Sequence, residues 1–500
     1  MSLGAEAKIV IIGCGISGIA AAHRLIKAGF NHVRIIEATG RSGGRIKTGK
    51  FGNSIVEIGA NWIHGPSKEN PVFCLAQQYG LLSPEALTPE NQAMDVGAHP
   101  PWISSVFTST GRKLSLDDVS PAVELFKELL HESAQFLEGG EPWPSVGQFI
   151  RAEVIQRSAE KWKADNAGSL QRCMFTTLLK VECCICGTHT LDDLGLGANG
   201  LYKSIPGLDC TFPGGYEGLI RNLMSELPAG VVSYNQPVRC IHWNNSDKGD
   251  SQVNVECHGG KVVPADHVIV TVPLGYLKKH HTSLFRPPLP LHKIHSIQRF
   301  GFGTNNKIFV EFDSPWWDED CEVIYLVWED DDTIVDQVED VPRSWIKKLI
   351  GFSVLKPTER YGHILCGWIA GKESHYMETL SEQELMYAIT QLVRRFTGNP
   401  IITPRKILRS QWFHDPWTCG SYSYPSRGCS SQDIENLMEP LPSKQTLSQP
   451  LQVLFAGEAT HPSYFSTVHG ALLTGWREAD RLLAHYSSAG RSAQPTKSKL

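Results

Sequence analysis

The chain has 500 residues, of which 41% are hydrophobic and 20% charged, and this length predicts roughly two or three domains with substantial cores. Its 47 lysines and arginines against 52 acids give a net charge of −5, which disfavours nucleic acid as a partner and is compatible with a cationic substrate. Apolar runs are shorter than the ~18–20 residues of a membrane span, and the first strand begins so early that we expect neither a membrane segment nor a secretory signal.

The first predicted elements are a strand, a glycine-rich turn and a helix, an order typical of a dinucleotide site. They comprise the strand 8–12, the turn residues Gly13, Cys14, Gly15 and Gly18, the helix 19–27 and a second strand 32–36. The glycines permit a tight turn and the close approach of a diphosphate, which the free N–H groups of the helix attract. Glu37 ends the second strand, where we expect its carboxylate to bind an adenosine ribose.

Two further motifs follow Glu37 directly. Residues 40–45 read Gly-Arg-Ser-Gly-Gly-Arg, and residues 57–65 read Glu-Ile-Gly-Ala-Asn-Trp-Ile-His-Gly. Backbone N–H groups and the guanidinium of Arg45 are suited to bind a diphosphate. The first string alone is more typical of a solvated turn, but its place after the ribose acid makes it specific.

The later elements return to the same pattern. We predict a helical region at 117–162, strands at 230–234, 252–256, 267–272 and 307–312, a helix at 381–396, a strand at 452–456 and a helix at 468–486. The predicted fold is α/β, with a discontinuous Rossmann-like domain and an inserted α+β substrate-binding domain. We assign residues 1–90, 205–285 and 400–500 to the first domain, and residues 91–204 and 286–399 to the second.

Cysteine spacing and the chain end give two more expectations. Cys183, Cys184 and Cys186 form the single cysteine cluster, and without a matching histidine pair they are interpreted as packed thiols rather than a metal site. Residues 487–500 are predicted to be a flexible tail that ends in Ser498, Lys499 and Leu500, the tripeptide read by the peroxisomal import receptor. This address predicts a peroxisomal location, with the cytoplasm as the second compartment, although an accidental tail is the alternative.

Taken together, the glycine turn with Glu37, the segments 40–45 and 57–65, and Phe-Ala-Gly-Glu-Ala-Thr at 455–460 resemble the flavin-containing amine oxidase family. Within it, the motifs are most similar to the branch that oxidises N1-acetylated polyamines. The resemblance spans essentially the whole chain. It implies an FAD cofactor, a two-domain fold and removal of a hydride from the carbon beside an amine nitrogen.

The resemblance also implies which residues hold FAD. The ADP half is expected at Gly13, Cys14, Gly15, Gly18, Glu37 and Arg45, with Val238 near the adenine and Glu458 near the ribityl–diphosphate segment. Ala60, Asn61 and Trp62 are expected along the isoalloxazine, with Thr467 and Val468 at its pyrimidine edge. A helix N-terminus at that edge would stabilise the negative charge of the reduced flavin. Pro273 and Trp412 are further expected cofactor contacts, and Trp412 also belongs to the aromatic wall of the family.

Lys307 is the residue on which the resemblance changes the interpretation most. From sequence alone, a lysine at the start of a strand is typical of a solvated charge. The resemblance instead places it opposite flavin N5, linked by a water, where burial would lower its pKa. We hypothesise a role in flavin reoxidation or imine hydrolysis.

The aromatic segment 420–424 resembles the family's substrate wall, with Tyr422 in the position of one of two cage tyrosines. Thr467 stands in the position of the other, which opens the wall for a long, flexible substrate. Ser421 occupies the place of the cysteine that tethers FAD in monoamine oxidases, and Cys419 lies two positions too early. FAD is therefore expected to bind without a covalent link.

A polyamine requires polar groups away from the reacting nitrogen. His64 is expected near the substrate as a hydrogen-bond partner, and Glu182 and Asp209 are the predicted tunnel carboxylates. Each has an ordinary alternative, a loop histidine or a solvated surface acid. Spermine oxidation without acetylation is the nearest alternative function, a flavin-bearing scaffold is a second, and a nicotinamide dehydrogenase would leave the later motifs unexplained.

Overall fold

The computed structural model describes residues 3–93, 104–162, 167–244, 252–442 and 450–492. The strands are β1 Lys8–Ile12, β2 His32–Ile36, β3 Thr48–Phe51, β4 Ser54–Glu57, β5 Ser104–Thr108, β6 Lys113–Leu114, β7 Val232–Ser233, β8 Val238–His242, β9 Val253–Cys257, β10 Val262–Ala265, β11 His267–Val270, β12 Phe285–Arg286, β13 Gly301–Gly303, β14 Asn305–Glu311, β15 Val323–Val327, β16 Gly351–Val354, β17 Ile364–Ala370, β18 Lys406–Arg409, β19 Tyr422–Tyr424 and β20 Val453–Phe455.

The α-helices are α1 Ile16–Lys27, α2 Pro71–Gln78, α3 Pro89–Ala93, α4 Leu116–Ser133, α5 Val146–Lys161, α6 Ala167–Cys186, α7 Leu196–Asn199, α8 Glu217–Ser225, α9 Leu274–Leu284, α10 Leu291–Arg299, α11 Val341–Ser344, α12 Thr358–Tyr361, α13 Gly371–Thr379, α14 Glu382–Thr397, α15 Ser431–Met438 and α16 Val468–Ser492. Short 3₁₀ helices cover Leu3–Glu6, Glu85–Leu87, Trp345–Lys348 and Glu458–Thr460. No described helix is both long and apolar enough to cross a membrane.

A parallel five-stranded sheet in the order β20-β11-β1-β2-β7 forms the first domain. Its central strand places Ile9 opposite both Val33 and His267, and four of its five residues are buried. A parallel sheet is buried on both faces, which explains the continuous apolar runs of β1 and β11. The strands come from the beginning, middle and end of the chain, so the predicted discontinuous Rossmann-like fold is confirmed.

The first and last long helices, α1 and α16, pack backbone against backbone. A Cβ atom on Gly475 would lie 2.1 Å from the carbonyl oxygen of Ser17, and one on Gly18 would lie 2.1 Å from that of Gly13. Glycine at both positions lets the helix pair sit close to the nucleotide turn. The two ends of the chain are joined at this contact.

The second domain contains a seven-stranded sheet in the order β18-β14-β17-β16-β15-β5-β6, antiparallel except for the β15–β5 pair. Helices α4 to α6 pack on one face and α13 and α14 on the other. A four-stranded sheet, β10-β9-β8-β12, and the pairs β3–β4 and β13–β19 complete the sheets of the described residues. The pair β13–β19 brings Tyr422–Tyr424 alongside Gly301–Gly303.

Several predicted bounds differ from the structure. Strand β18 lies in the segment assigned to the first domain but pairs with β14, and α10 lies in the other segment but packs into the first domain's core through Ile297. The predicted strand 267–272 ends at Val270, and Thr271, the next residue, donates both its N–H and its hydroxyl to the carbonyl oxygen of Ile12. Strand 230–234 is reduced to β7.

The end of the chain also differs from the prediction. Helix α16 continues to Ser492, so the first residues of the predicted tail 487–500 are helical. Ser498, Lys499 and Leu500 lie outside the described residues. The proposed import signal is therefore supported by its sequence alone.

We expect Gly475→Val to lower the free energy of unfolding by about 1–3 kcal/mol, because the new side chain would meet the backbone of α1. Gly214→Val is the control, since a Cβ there meets no atom within 4 Å. Urea denaturation followed by circular dichroism measures both. Equal stability of the two variants would contradict the close helix contact.

Candidate active site

A cavity of about 710 Å³ runs from the carboxyl ends of β1 and β2 to the seven-stranded sheet at β14–β17. Its size is in the range of cofactor and ligand sites. The predicted residues that line it are Gly13, Gly15, Glu37, Arg45, Ala60, Asn61, Trp62, His64, Glu182, Val238, Pro273, Lys307, Trp412, Tyr422, Glu458, Thr467 and Val468. Cys14, Gly18 and Asp209 are not part of the lining.

The glycine turn forms one end of this cavity. Gly13 has a φ of +105°, and a Cβ there would lie 2.6 Å from Thr271 Oγ1, so a side chain is excluded. A Cβ on Gly15 would meet no protein atom within 4 Å, so the space beside it is open to a ligand. Helix α1 begins directly after Gly15, which provides no side-chain cap. Its first N–H groups are therefore suited to bind an anion.

Glu37 is held at the end of β2 by three hydrogen bonds. Its Oε2 accepts from the Cys14 N–H at 2.8 Å, and its Oε1 accepts from the Thr39 N–H at 2.8 Å and the Thr39 hydroxyl at 2.7 Å. These donors fix the carboxylate while it faces the cavity. The Cys14 N–H, expected to contact the cofactor, is occupied by Glu37.

Arg45 is anchored by a buried acid. Its Nη1 lies 2.9 Å from Glu458 Oε1 and donates to the Ser421 carbonyl oxygen at 2.8 Å. The other oxygen of Glu458 accepts from the Ser423 hydroxyl and from the Ser466 N–H. Because Glu458 is buried and fully bonded, it positions Arg45 and the segment before α16.

Thr467 acts as the N-cap of α16. Its hydroxyl accepts from the Gly470 N–H at 2.9 Å and donates to the Tyr464 carbonyl oxygen at 2.7 Å. Its one O–H donor is therefore used within the protein, a role that sequence reasoning missed. The helix N-terminus at Thr467 and Val468 faces the cavity, where its dipole favours negative charge.

The Lys307 ammonium lies between the two domains. It donates to the carbonyl oxygens of Glu57 at 2.6 Å and Gly59 at 2.7 Å, and it is 3.4 Å from Asn61 Oδ1. It also lies 4.9 Å from the centre of the Trp368 ring, in cation–π geometry. Burial lowers the pKa of Lys307 to about 8.

Aromatic side chains surround this lysine. Trp62 stacks on Trp368, with ring centres 5.5 Å apart, and the Trp412 indole donates to the Ile58 carbonyl oxygen at 3.2 Å. The Tyr422 hydroxyl donates to the Cys184 carbonyl oxygen at 2.7 Å. Burial raises the pKa of Tyr422, which keeps the phenol protonated.

The two predicted carboxylates lie in different surroundings. Asp209 is 2.6 Å from His64 Nδ1 and also accepts from the Gly65 N–H, so it orients the imidazole from behind the cavity wall. The prediction that Asp209 binds substrate directly is therefore not supported by its position. His64 itself faces the cavity.

Glu182 lies in the cavity wall. Among the described residues, its side chain has one hydrogen bond, from the Cys186 thiol at 3.2 Å, and no ion pair. Burial raises the pKa of this carboxyl. A cation placed beside this carboxyl would favour its ionised form.

Three of the lining residues that the sequence did not predict contact predicted ones or have a polar atom with no hydrogen-bond partner in the described part of the chain. Trp368 pairs with Lys307 in the β14–β17 register, and Asn305 donates to the carbonyl oxygen of Cys184 and to the Tyr422 hydroxyl. His469 is 3% exposed, and its Nε2 has no partner among the described residues. Only the strand register could have located Trp368, and no local signal distinguished the other two. The described residues contain no cluster of three or more side chains suited to hold a metal ion.

Comparison with known proteins places this geometry in context. Residues 16–483 match the model of the family described as flavin containing amine oxidoreductase. The chain is 46% identical to the Bos taurus and 45% identical to the Homo sapiens peroxisomal N(1)-acetyl-spermine/spermidine oxidase, in each case over 98% of this chain and 97% of the relative. A solved structure of a putrescine oxidase redesigned in its cofactor binding shares the fold, with a TM-score of 0.68, 20% identity and coverage of 96% of this chain and 99% of that one.

The lowered pKa of Lys307 predicts a pH-dependent stability. Between about pH 8 and pH 10.5 the unfolded chain binds a proton that the folded chain has released, so the free energy of unfolding rises with pH. Relative to Lys307→Met, which cannot titrate, we expect a gain on the order of 1 kcal/mol per pH unit in this window. Urea denaturation of both proteins across the window measures it, and parallel curves would contradict the burial of this ammonium.

Proposed function

We propose that this chain, which belongs to the flavin containing amine oxidoreductase family, is an FAD-dependent oxidase of N1-acetylated polyamines. Its substrates are N1-acetylspermine and N1-acetylspermidine, oxidised at the carbon on the exo side of the internal secondary amine. With oxygen and water the products are a shorter polyamine, 3-acetamidopropanal and hydrogen peroxide. The observation that carries the proposal is one cavity joining a dinucleotide turn to the uncompensated carboxylate of Glu182.

The residues of the cavity fit FAD. Gly15 leaves room for a diphosphate, Glu37 is fixed to accept ribose hydroxyls, and Arg45 is anchored to pair with phosphate. Bound FAD supplies the hydride acceptor that amine oxidation requires. Ser421, not a cysteine, lies in the cavity wall beside Tyr422, and Cys419 is not part of the lining, which supports non-covalent binding.

Lys307 is the proposed catalytic residue beside the reacting nitrogen of the cofactor. Its ammonium is held by the carbonyl oxygens of Glu57 and Gly59 and has a pKa of about 8. A group that titrates near the working pH is able to hold a water and to exchange a proton with it. We assign this water to imine hydrolysis or to the reaction with oxygen.

His64, Glu182 and Tyr422 are the proposed substrate contacts. Asp209 lies 2.6 Å from Nδ1 of His64, which leaves Nε2 for a contact with the substrate. Glu182 binds a distant ammonium of the polyamine, while the acetylated end carries no charge and needs no second buried acid. The reacting nitrogen must be unprotonated, so activity rises into mildly alkaline pH.

The location rests on the chain end. Ser498, Lys499 and Leu500 form the proposed contact with the peroxisomal import receptor. The names of the Bos taurus and Homo sapiens relatives support a peroxisomal location. In a peroxisome, the hydrogen peroxide from the proposed reaction would be released inside that organelle.

Peroxide release from the purified protein with N1-acetylspermine, spermine and benzylamine tests the function. We expect kcat/KM for N1-acetylspermine to exceed that for spermine by at least about tenfold, with no turnover of benzylamine. A preference for spermine would favour the spermine oxidase alternative. A flavin-loaded protein that oxidises none of the three would instead support the scaffold alternative.

Glu182→Gln tests the substrate contact. We expect KM for N1-acetylspermine to rise about tenfold to hundredfold with kcat within about threefold, because a charged hydrogen bond to the distant ammonium is lost. Glu124→Gln, an exposed acid on α4, is the control. An unchanged KM would remove Glu182 from the binding site.

A further inference from the structure

One buried carboxylate lies outside the cavity but is bonded to two of its walls. Glu378, in α13, has a fully buried side chain and does not line the cavity. We infer that Glu378 is a positioning residue, whose carboxylate fixes Trp412 and Lys307 relative to the bound flavin. This inference rests on the proposed function and deepens it by assigning the group that holds the flavin-facing wall.

The carboxylate accepts four hydrogen bonds. Oε1 accepts from the Asn306 amide at 2.6 Å and the Phe413 N–H at 2.9 Å. Oε2 accepts from the His414 N–H at 2.9 Å and lies 2.7 Å from His414 Nδ1. Four donors match the acceptor capacity of an ionised carboxylate, so each is bound in a defined place.

The first connection runs through Asn306 to Lys307. Asn306 Oδ1 accepts from the Ser410 hydroxyl at 2.8 Å, and Ser410 Oγ accepts from the Lys307 N–H at 2.8 Å. Neighbouring residues of a strand point to opposite faces, so Asn306 turns toward Glu378 while Lys307 turns toward the cavity. Glu378 therefore sets the position of β14 at the lysine.

The second connection runs to Trp412. The backbone N–H of Trp412 donates to Asn306 Oδ1 at 3.3 Å, and the backbone N–H groups of the next two residues, Phe413 and His414, donate to Glu378. The Phe413 ring stacks on the His375 ring, with ring centres 3.5 Å apart. The Trp412 indole in turn donates to the Ile58 carbonyl oxygen, within the segment that Lys307 also binds.

Both connections meet on residues 57–61, which line the cavity through Ile58, Gly59, Ala60 and Asn61. Replacing one carboxylate oxygen by an amide leaves buried donors without acceptors. We then expect Lys307 and Trp412 to shift together, because Asn306 belongs to both connections. FAD binding and flavin geometry are therefore expected to change more than the binding of the amine.

Glu378→Gln in the full-length protein, with Glu382→Gln as the exposed control four residues later, tests the inference. We expect the Kd for FAD to rise at least about tenfold, the visible circular dichroism of bound flavin to change, and kcat to fall at least about tenfold while KM stays within about threefold. The control is expected to match the unmodified protein in all four measurements.

The double variant Asn306→Asp with Glu378→Gln returns a carboxylate to the same hydrogen-bonded pair, and we expect it to recover part of the FAD affinity and the flavin dichroism, because only the Phe413 N–H then lacks its acceptor. If Glu378→Gln does not fold, Ser410→Ala tests the inference instead, because it removes only the hydroxyl between Asn306 and the Lys307 N–H. We then expect smaller changes of the same kind in the Kd for FAD, the flavin dichroism and kcat. If the tested variant keeps the Kd for FAD, the flavin dichroism and the kcat of the unmodified protein, the inference is overturned, even if the variant is less stable.

If the unmodified protein oxidises no amine, the proposed function fails. The FAD affinity and the flavin dichroism of the variants still test the role of Glu378.

Discussion

The arrangement of the cavity depends on the hydrogen bonds that the Lys307 ammonium donates across the domain border. It belongs to the second domain's sheet but donates to the carbonyl oxygens of Glu57 and Gly59, in the segment that follows the first domain's nucleotide motifs. A buried charge is tolerated only when its hydrogen bonds are satisfied, and here two carbonyls, Asn61 and the face of Trp368 meet that need. The same contacts that stabilise the charge hold the two domains at a fixed distance across the cavity.

Buried carboxylates around the cavity divide into two kinds. Glu37, Glu458 and Glu378 each accept hydrogen bonds from three or more protein donors, so they position the backbone around the cofactor site. Among the described residues, Glu182 has one side-chain hydrogen bond, to a thiol, and burial raises its pKa. The difference in hydrogen bonding, not in burial, distinguishes Glu182 from the other three acids, and it supports the proposed role of Glu182 as a substrate contact.

The chain crosses between the domains several times, and the crossings form the site. Strand β13 pairs with β19, which begins at Tyr422. Strand β18 pairs with β14 of the second domain, and the chain then returns to the first domain at α16. Tyr422 in β19 and Trp412, which follows β18, both line the cavity. A displacement of one domain would therefore alter the cofactor end and the substrate end together.

The sequence by itself determined the nucleotide end of this protein, because a strand, glycine turn, helix and terminal acid are encoded within about thirty consecutive residues, where local backbone geometry decides the structure. The order of motifs further along also indicated the family. Only the tertiary structure decided which distant residues meet: Trp368 reaches Lys307 through the register of β14 and β17, and Asp209 reaches His64 across 145 positions. The tertiary structure also makes the Thr467 hydroxyl a helix cap, and it gives Glu182 no counter-ion among the residues described. Such contacts depend on sheet register and packing, which no spacing along the chain specifies.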